Sequence, residues 1–156
     1  MRSSPLLVPL LLLLLTLGSC IRDPAGDVAI GLPNAGHLTL FLGLCEGDEL
    51  IGVRIADPVD GVVGDQNDVV HWEISRDGSA GATPSSLVVG DEVAGFMEKT
   101  PWDGPLADQP LTFQVETVRE GYVADFHATE LSDGLVTVSG ERQSIDEFEE
   151  SARSDC

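Results

Sequence analysis

The chain is predicted to be mainly β, an immunoglobulin-like antiparallel β-sandwich with a short C-terminal helix. Three observations carry that expectation. Short runs of alternating apolar and polar residues recur between residues 38 and 128, and a period of two marks strands with one buried face. Turn residues (Gly, Pro, Asp, Asn) punctuate the gaps between the runs. Residues 144–156 then change to a helical period. Seven or eight strands in about 110 residues match the size of a sandwich domain, and a barrel is the alternative architecture.

The elements follow in chain order. Residues 6–17, LLVPLLLLLLTL, are apolar apart from Pro9 and Thr16. As a helix they would cover about 18 Å, short of the ~30 Å hydrocarbon core of a bilayer. With Arg2 ahead of it and Gly18-Ser19 behind, the run has the layout of a signal peptide. An ordinary secretory leader, with Cys20 merely following the cut, is one reading. The stretch "LGSC" at residues 17–20 resembles the bacterial lipobox, with Leu at −3, small residues at −2 and −1, and Cys at +1. That resemblance implies that residues 1–19 are a lipoprotein signal peptide. It also implies that the Cys20 thiol carries a diacylglyceryl group as a thioether and becomes the mature amino terminus. The expected location is the extracytoplasmic face of the cell membrane, held by the anchor on Cys20, since two acyl chains hold firmly where one holds marginally. Residues 20–27 then form the lipidated amino terminus and a short tether, and residues 28–156 a single domain.

The strands come next. In "HLTLFLGLC", Leu38, Leu40, Leu42 and Leu44 share a face, and in "ELIGVRIAD", Ile51, Val53 and Ile55 do. "VVHWEIS" groups Val70, Trp72 and Ile74 opposite His71 and Glu73, which makes Trp72 a core aromatic. "SSLVVGDEVAGF" offers one or two short edge strands. "PLTFQVETV" sets Leu111, Phe113 and Val115 against Thr112, Gln114 and Glu116. "YVADFHATE" sets Tyr122, Ala124, Phe126 and Ala128 against Asp125 and His127, and "GLVTVSG" is a shorter run. Glu120-Gly121 and Asp133-Gly134 suit tight hairpin turns, where glycine accepts a positive φ.

The final segment, "SIDEFEESARSDC", pairs Ser144 with Glu147 in a capping box. Asp146 and Glu147 suit the positive end of the helix dipole. Ile145, Phe148, Ala152 and Cys156 fall on one helical face, which points the last residue towards Cys45. With Cys20 given to lipid by the lipobox resemblance, Cys45 and Cys156 are an even pair in an exported protein, and a disulfide between them is expected. Two buried free thiols are the rival arrangement, and a metal site is a weaker one because two cysteines without nearby histidines fall short of four ligands. The order "HWEISRDG", "LVVGDEVAGFMEKTP", "LTFQVETV", "GERQSIDEFEESARSDC" is also similar to small uncharacterised exported lipoproteins of actinobacteria that end in a helix and a terminal Cys. The similarity covers most of residues 69–156 and implies no particular activity.

Composition narrows function. Eight basic residues against 27 acidic ones give a net charge of −19, a surface that repels phosphate backbones and anionic headgroups, so no nucleic acid partner is expected. His37, His71 and His127 fall on separate segments and read as solvent-facing strand residues. No HExxH, no G-x-S-x-G elbow and no phosphate-cradling glycine loop occurs. No catalytic residue, metal ligand set or cofactor is therefore expected. The loop "ADPVDGVVGDQNDVV" gathers Asp57, Asp60, Asp65 and Asp68 with Asn67, oxygen ligands of the kind Ca²⁺ uses, although without EF-hand spacing. Paired carboxylates for glycoside hydrolysis are a remoter option. "KTPWDGPLADQP" reads as a rigid connector with Trp102 tucked over the core edge, or as an exposed aromatic anchor. The expected function is a non-catalytic binding or accessory module working on an envelope protein or ligand through surface loops. The alternative is a small calcium-dependent or hydrolytic envelope enzyme.

Overall fold

The computed structural model describes residues 26–33, 36–57, 68–78, 82–104, 109–131, 135–138 and 141–156. Cys20, the leader, Asp60, Asp65, Asn67 and the Asp133-Gly134 turn lie outside the described residues. Ten strands are found among the described residues: β1 Gly26–Gly31, β2 Thr39–Leu44, β3 Leu50–Asp57, β4 Val69–Arg76, β5 Ser86–Val88, β6 Phe96–Thr100, β7 Pro110–Thr117, β8 Gly121–His127, β9 Leu135–Val138 and β10 Glu141–Ser144. One helix, α1, spans Ile145–Asp155.

They form two five-stranded sheets, in the orders β10-β9-β1-β2-β5 and β6-β4-β3-β7-β8, and every pairing is antiparallel. The chain passes from β2 in the first sheet to β3 in the second, and β7 later returns to lie beside β3. That long-range neighbouring is the pattern of the C and F strands in immunoglobulin-like sandwiches. The disulfide that ties the two sheets of antibody domains has no counterpart among the described residues, so apolar contact between the inner faces holds the layers together.

Alternation accounts for the core. Leu38, Leu40 and Leu42 point inwards, as do Val28 and Ile30 of β1, and they meet Val53, Ile55, Trp72, Ile74, Leu111, Phe113, Val115 and Phe126 from the second sheet. Each such side chain contributes about 1.5–3 kcal/mol on full burial. The Phe113 and Phe126 rings pack in a tilted pair with centroids 6.2 Å apart. Trp72 is fully buried, and its indole N–H has no hydrogen-bond partner among the described residues.

Irregularities in pairing explain where strict alternation fails. Leu50 pairs with Thr117 and Gly52 with Glu116, which leaves Ile51 as an extra residue in β3. This bulge turns Leu50 into the core at 0% exposure and leaves Ile51 half-buried, so Leu50 rather than Ile51 joins Val53 and Ile55. A second bulge sets Ile55 opposite Trp72 and Ala56 opposite Val70, with His71 between them. Ala128 leaves the β8 face altogether and opens a 3-10 turn, Ala128–Glu130. The expected turn at Glu120-Gly121 forms two residues earlier. The Thr117 N–H donates to the Glu120 carbonyl at 2.9 Å, and the Thr117 hydroxyl accepts from the Glu120 N–H at 3.0 Å. Gly121 is an ordinary strand residue opposite Glu116. The sandwich also begins earlier than the predicted boundary at residue 28, because Gly26 and Asp27 already pair with Leu44 and Gly43.

Candidate functional site

The outer face of the first sheet is covered. Because alternate residues face alternate ways, β2 turns Thr39, Phe41, Gly43 and Cys45 away from the main core, and β1 does the same with Ala29. A polar, solvated face would be expected there. Instead Ala29, Phe148 and Ala152 form a second small core with Phe41 and Ile145 around it. The helix reaches this face because its start is fixed. The Ser144 hydroxyl accepts from the Glu147 N–H at 3.2 Å, and the Glu147 carboxylate accepts from the Ser144 N–H at 2.8 Å. The Glu147 carboxyl is held below its ordinary range by those bonds, first the Ser144 backbone N–H and then its hydroxyl. Phe148 and Phe41 meet edge to face with ring centroids 6.4 Å apart. At the other end of the helix Cys156 is joined to Cys45, with Cα atoms 5.3 Å apart. Of the expected arrangements for these two cysteines, the disulfide is the one present.

Between the helix and the β2–β5 side of the sheet lies a groove of about 530 Å³. Its interior carries the buried Cys45, Phe148 and Ala152 and the half-buried Phe41. It also borders Leu42 and Leu44, which pack on the main core, and the exposed Glu46, Ser85, Ser86, Glu149 and Arg153 rim it. The volume falls within the roughly 300–1,000 Å³ of small-molecule sites, which combine an apolar lining with a few polar groups. The groove exists because β5 is short. It pairs with Thr39, Leu40 and Phe41 only, and one further bond from the Leu42 N–H to the Ser85 carbonyl, 2.8 Å, closes the ladder before Gly43 and Leu44.

The residues singled out from sequence distribute differently. His37 is exposed and His127 half-buried. His71 is not a free surface residue: its side chain is 15% exposed, and its Nδ1 stands 3.1 and 3.2 Å from the two carboxylate oxygens of Asp103. A carboxylate only accepts, so Nδ1 carries the proton. Nε2 is then the acceptor for the Gln109 amide at 3.4 Å. An Asp–His pair supplies two of the three members of a catalytic triad, but here the nitrogen that would activate a nucleophile faces an amide. Asp68 of the acidic loop is buried, and its Oδ2 lies 3.5 Å from an Arg54 guanidinium nitrogen. One oxygen of that carboxylate is therefore turned to an arginine. No group of three or more metal-binding side chains occurs among the described residues. Trp102 is half-buried, packs against the main core and lies over Gly90, where a Cβ would stand 3.1 Å from the Trp102 Cβ. Of the two readings for Trp102, the tucked one holds.

Sequence reasoning missed the groove itself, including Phe41, Gly43, Ser85, Ser86, Glu149 and Arg153. One signal was present. The odd positions of "TLFLGLC" are not polar as a solvated face requires, and their Thr, Phe, Gly, Cys order marks a second covered face. No family model, no curated protein and no solved structure matches the chain.

Proposed function

We propose that this chain is a lipid-anchored extracytoplasmic binding module, held at the membrane through Cys20 and binding through the groove beside α1. The observation that carries the reading is the Cys45–Cys156 disulfide. A structural disulfide belongs to an exported chain in an oxidising compartment. It also uses two of the three cysteines, which leaves Cys20, the lipobox residue, as the one available for lipid. The position of the groove agrees with a tether there. Gly26 pairs with Leu44, a groove residue, and the six residues from Cys20 to Gly26 reach at most about 20 Å. The groove would thus be presented close to the bilayer. A binding role fits the site better than chemistry does, since an apolar interior with a polar border holds a ligand while the Asp103–His71 pair is capped by Gln109.

The test has two arms. Full-length protein made in a lipoprotein-processing bacterium should gain the mass of a diacylglyceryl group at Cys20 and partition into detergent. Cys20→Ala should lose both, and an unchanged mature mass and partition would remove the anchor from the reading. In the second arm, envelope extracts passed over the anchored protein should yield a ligand or partner that Ser86→Trp, which fills the groove, releases. Equal capture by both forms would overturn the groove as the binding surface.

A further inference from the structure

We propose that the groove between α1 and β2 takes a fatty acid, with the hydrocarbon tail along Phe41, Phe148 and Ala152 and the carboxylate at Arg153. This names the ligand class for the binding-module reading and rests on it.

Shape argues for a linear chain. One wall runs along β2 from Phe41 to Leu44 and on to Cys45 and Glu46, and the other along the helix from Phe148 towards Cys156. At about 3.3 Å per strand residue and 1.5 Å per helix residue, the strand part and the helical wall are roughly 10 and 12 Å long. Polarity is sorted within this length, with buried or half-buried apolar side chains inside and exposed polar ones at the border. An amphiphile with one tail and one head matches that sorting.

Charge chooses the head. The sequence has only eight lysines and arginines against 27 acids. Among the described arginines Arg54 is engaged with Asp68, Arg76 with Glu49 and Arg119 with the Glu46 carbonyl, and Arg142 lies on β10, outside the groove lining. Arg153 stands at the border of the groove. Its Nε donates to the Glu149 carbonyl at 2.8 Å, one turn back along the helix. That bond fixes the guanidinium, and its two terminal nitrogens have no partner among the described residues. Two N–H groups side by side suit a carboxylate, which accepts both in parallel. Glu46 and Glu149 share the border, so a head with more negative charge, such as a phosphate, meets repulsion that a single carboxylate compensates through Arg153.

The experiment uses the lipidated full-length chain in zwitterionic vesicles, with a diazirine-bearing fatty acid as the probe and the crosslinked residues mapped by mass spectrometry. Labelling should saturate and centre on Phe41, Phe148 and Ala152. Competing unlabelled acids should gain potency with length, by up to about fourfold per methylene, until the groove is full. Arg153→Gln, on the exposed side of the helix, should weaken the acid by roughly threefold to tenfold and leave the matching fatty alcohol unchanged. Ser86→Trp should remove groove labelling by both. Labelling that does not saturate, or that ignores both substitutions, overturns the proposal. So does preferential labelling of the groove by a diazirine-bearing phosphatidylcholine, which would make a bilayer lipid the occupant. Capture of an envelope protein that Ser86→Trp releases, without fatty acid labelling, would sink the fatty acid while leaving the binding module standing.

Discussion

Ala152 occupies the space that a side chain at Gly43 would need: a Cβ built on Gly43 would stand 2.2 Å from the Ala152 Cβ and 3.5 Å from the Phe148 ring. The helix lies on the sheet at this point because one of the two residues has no side chain. Gly43→Ala should therefore lift α1 and cost about 1–3 kcal/mol, the usual range for overpacking a tight contact. Thermal melts should show the loss, and Ala152→Gly in the same chain should recover part of it. An unchanged melting temperature for Gly43→Ala would mean that the helix does not press on this face.

Reduction should act on the same helix. The loop closed by Cys45 and Cys156 spans a sequence separation of 111, and the chain-entropy account gives about 4.7 kcal/mol for a ~100-residue loop. Without the bond, α1 is held by the small cluster of Phe148, Ala152 and Ile145 on Ala29 and Phe41. Hydrogen exchange after reduction should rise first across residues 145–155, with the strands of the main core still protected. Thiol counting on the denatured, unreduced Cys20→Ala chain should find no free thiol. Two would sink the link.

Acid should loosen the start of the helix. The Glu147 carboxyl is held below the usual glutamate value of 4.5 by the Ser144 N–H and hydroxyl. A carboxyl depressed in the folded state adds stability above its unfolded value, and that stability is lost as pH falls through the folded one. The capping box should thus be intact at neutral pH and weaken below about pH 4.5. In Glu147→Gln the acid dependence of helix exchange should flatten. A variant that keeps the wild-type pH profile would assign the effect to another group.

Asp68 should behave as a structural anion. Its carboxylate is buried against Arg54, so Asp68→Asn should cost on the order of 2–4 kcal/mol by leaving the guanidinium uncompensated. That cost should be the same with and without calcium. Calcium itself should move the melting temperature by no more than about a degree, because a ligand stabilises only by binding the folded form. A larger calcium shift that Asp65→Asn abolishes would restore the acidic loop as a cation site.

The parts that sequence made legible are those governed by local period. The inward leucines of β2, the Trp72 and Phe113 strands and the capping box at Ser144 all follow from spacing alone, and the structure places them as expected. The parts it hid depend on neighbours far along the chain. Ile51 loses its core position to Leu50 because β7 pairs around it, which no period in β3 announces. β1 reads partly as tether because "GDVAIG" is short and begins with turn residues, and it becomes a strand by pairing with β2 and β9. β10 was hidden for the same reason: "ERQS" is polar and forms only against β9. The groove was hidden for a like reason, since it depends on where β5 stops along β2 and on how the helix seats beside it.

The Cys45–Cys156 bond also sets what a protease can release. Every strand of the second sheet, from Leu50 to His127, lies inside the covalent ring that this bond closes. One cut anywhere between residues 46 and 155 yields two fragments that stay attached to each other, so a nicked domain keeps its mass on a non-reducing gel and separates only after reduction. Cuts before Cys45 have no such protection. A cleavage in the β1–β2 connection would leave β1 held by its hydrogen bonds and by the side chains of Val28, Ala29 and Ile30 alone.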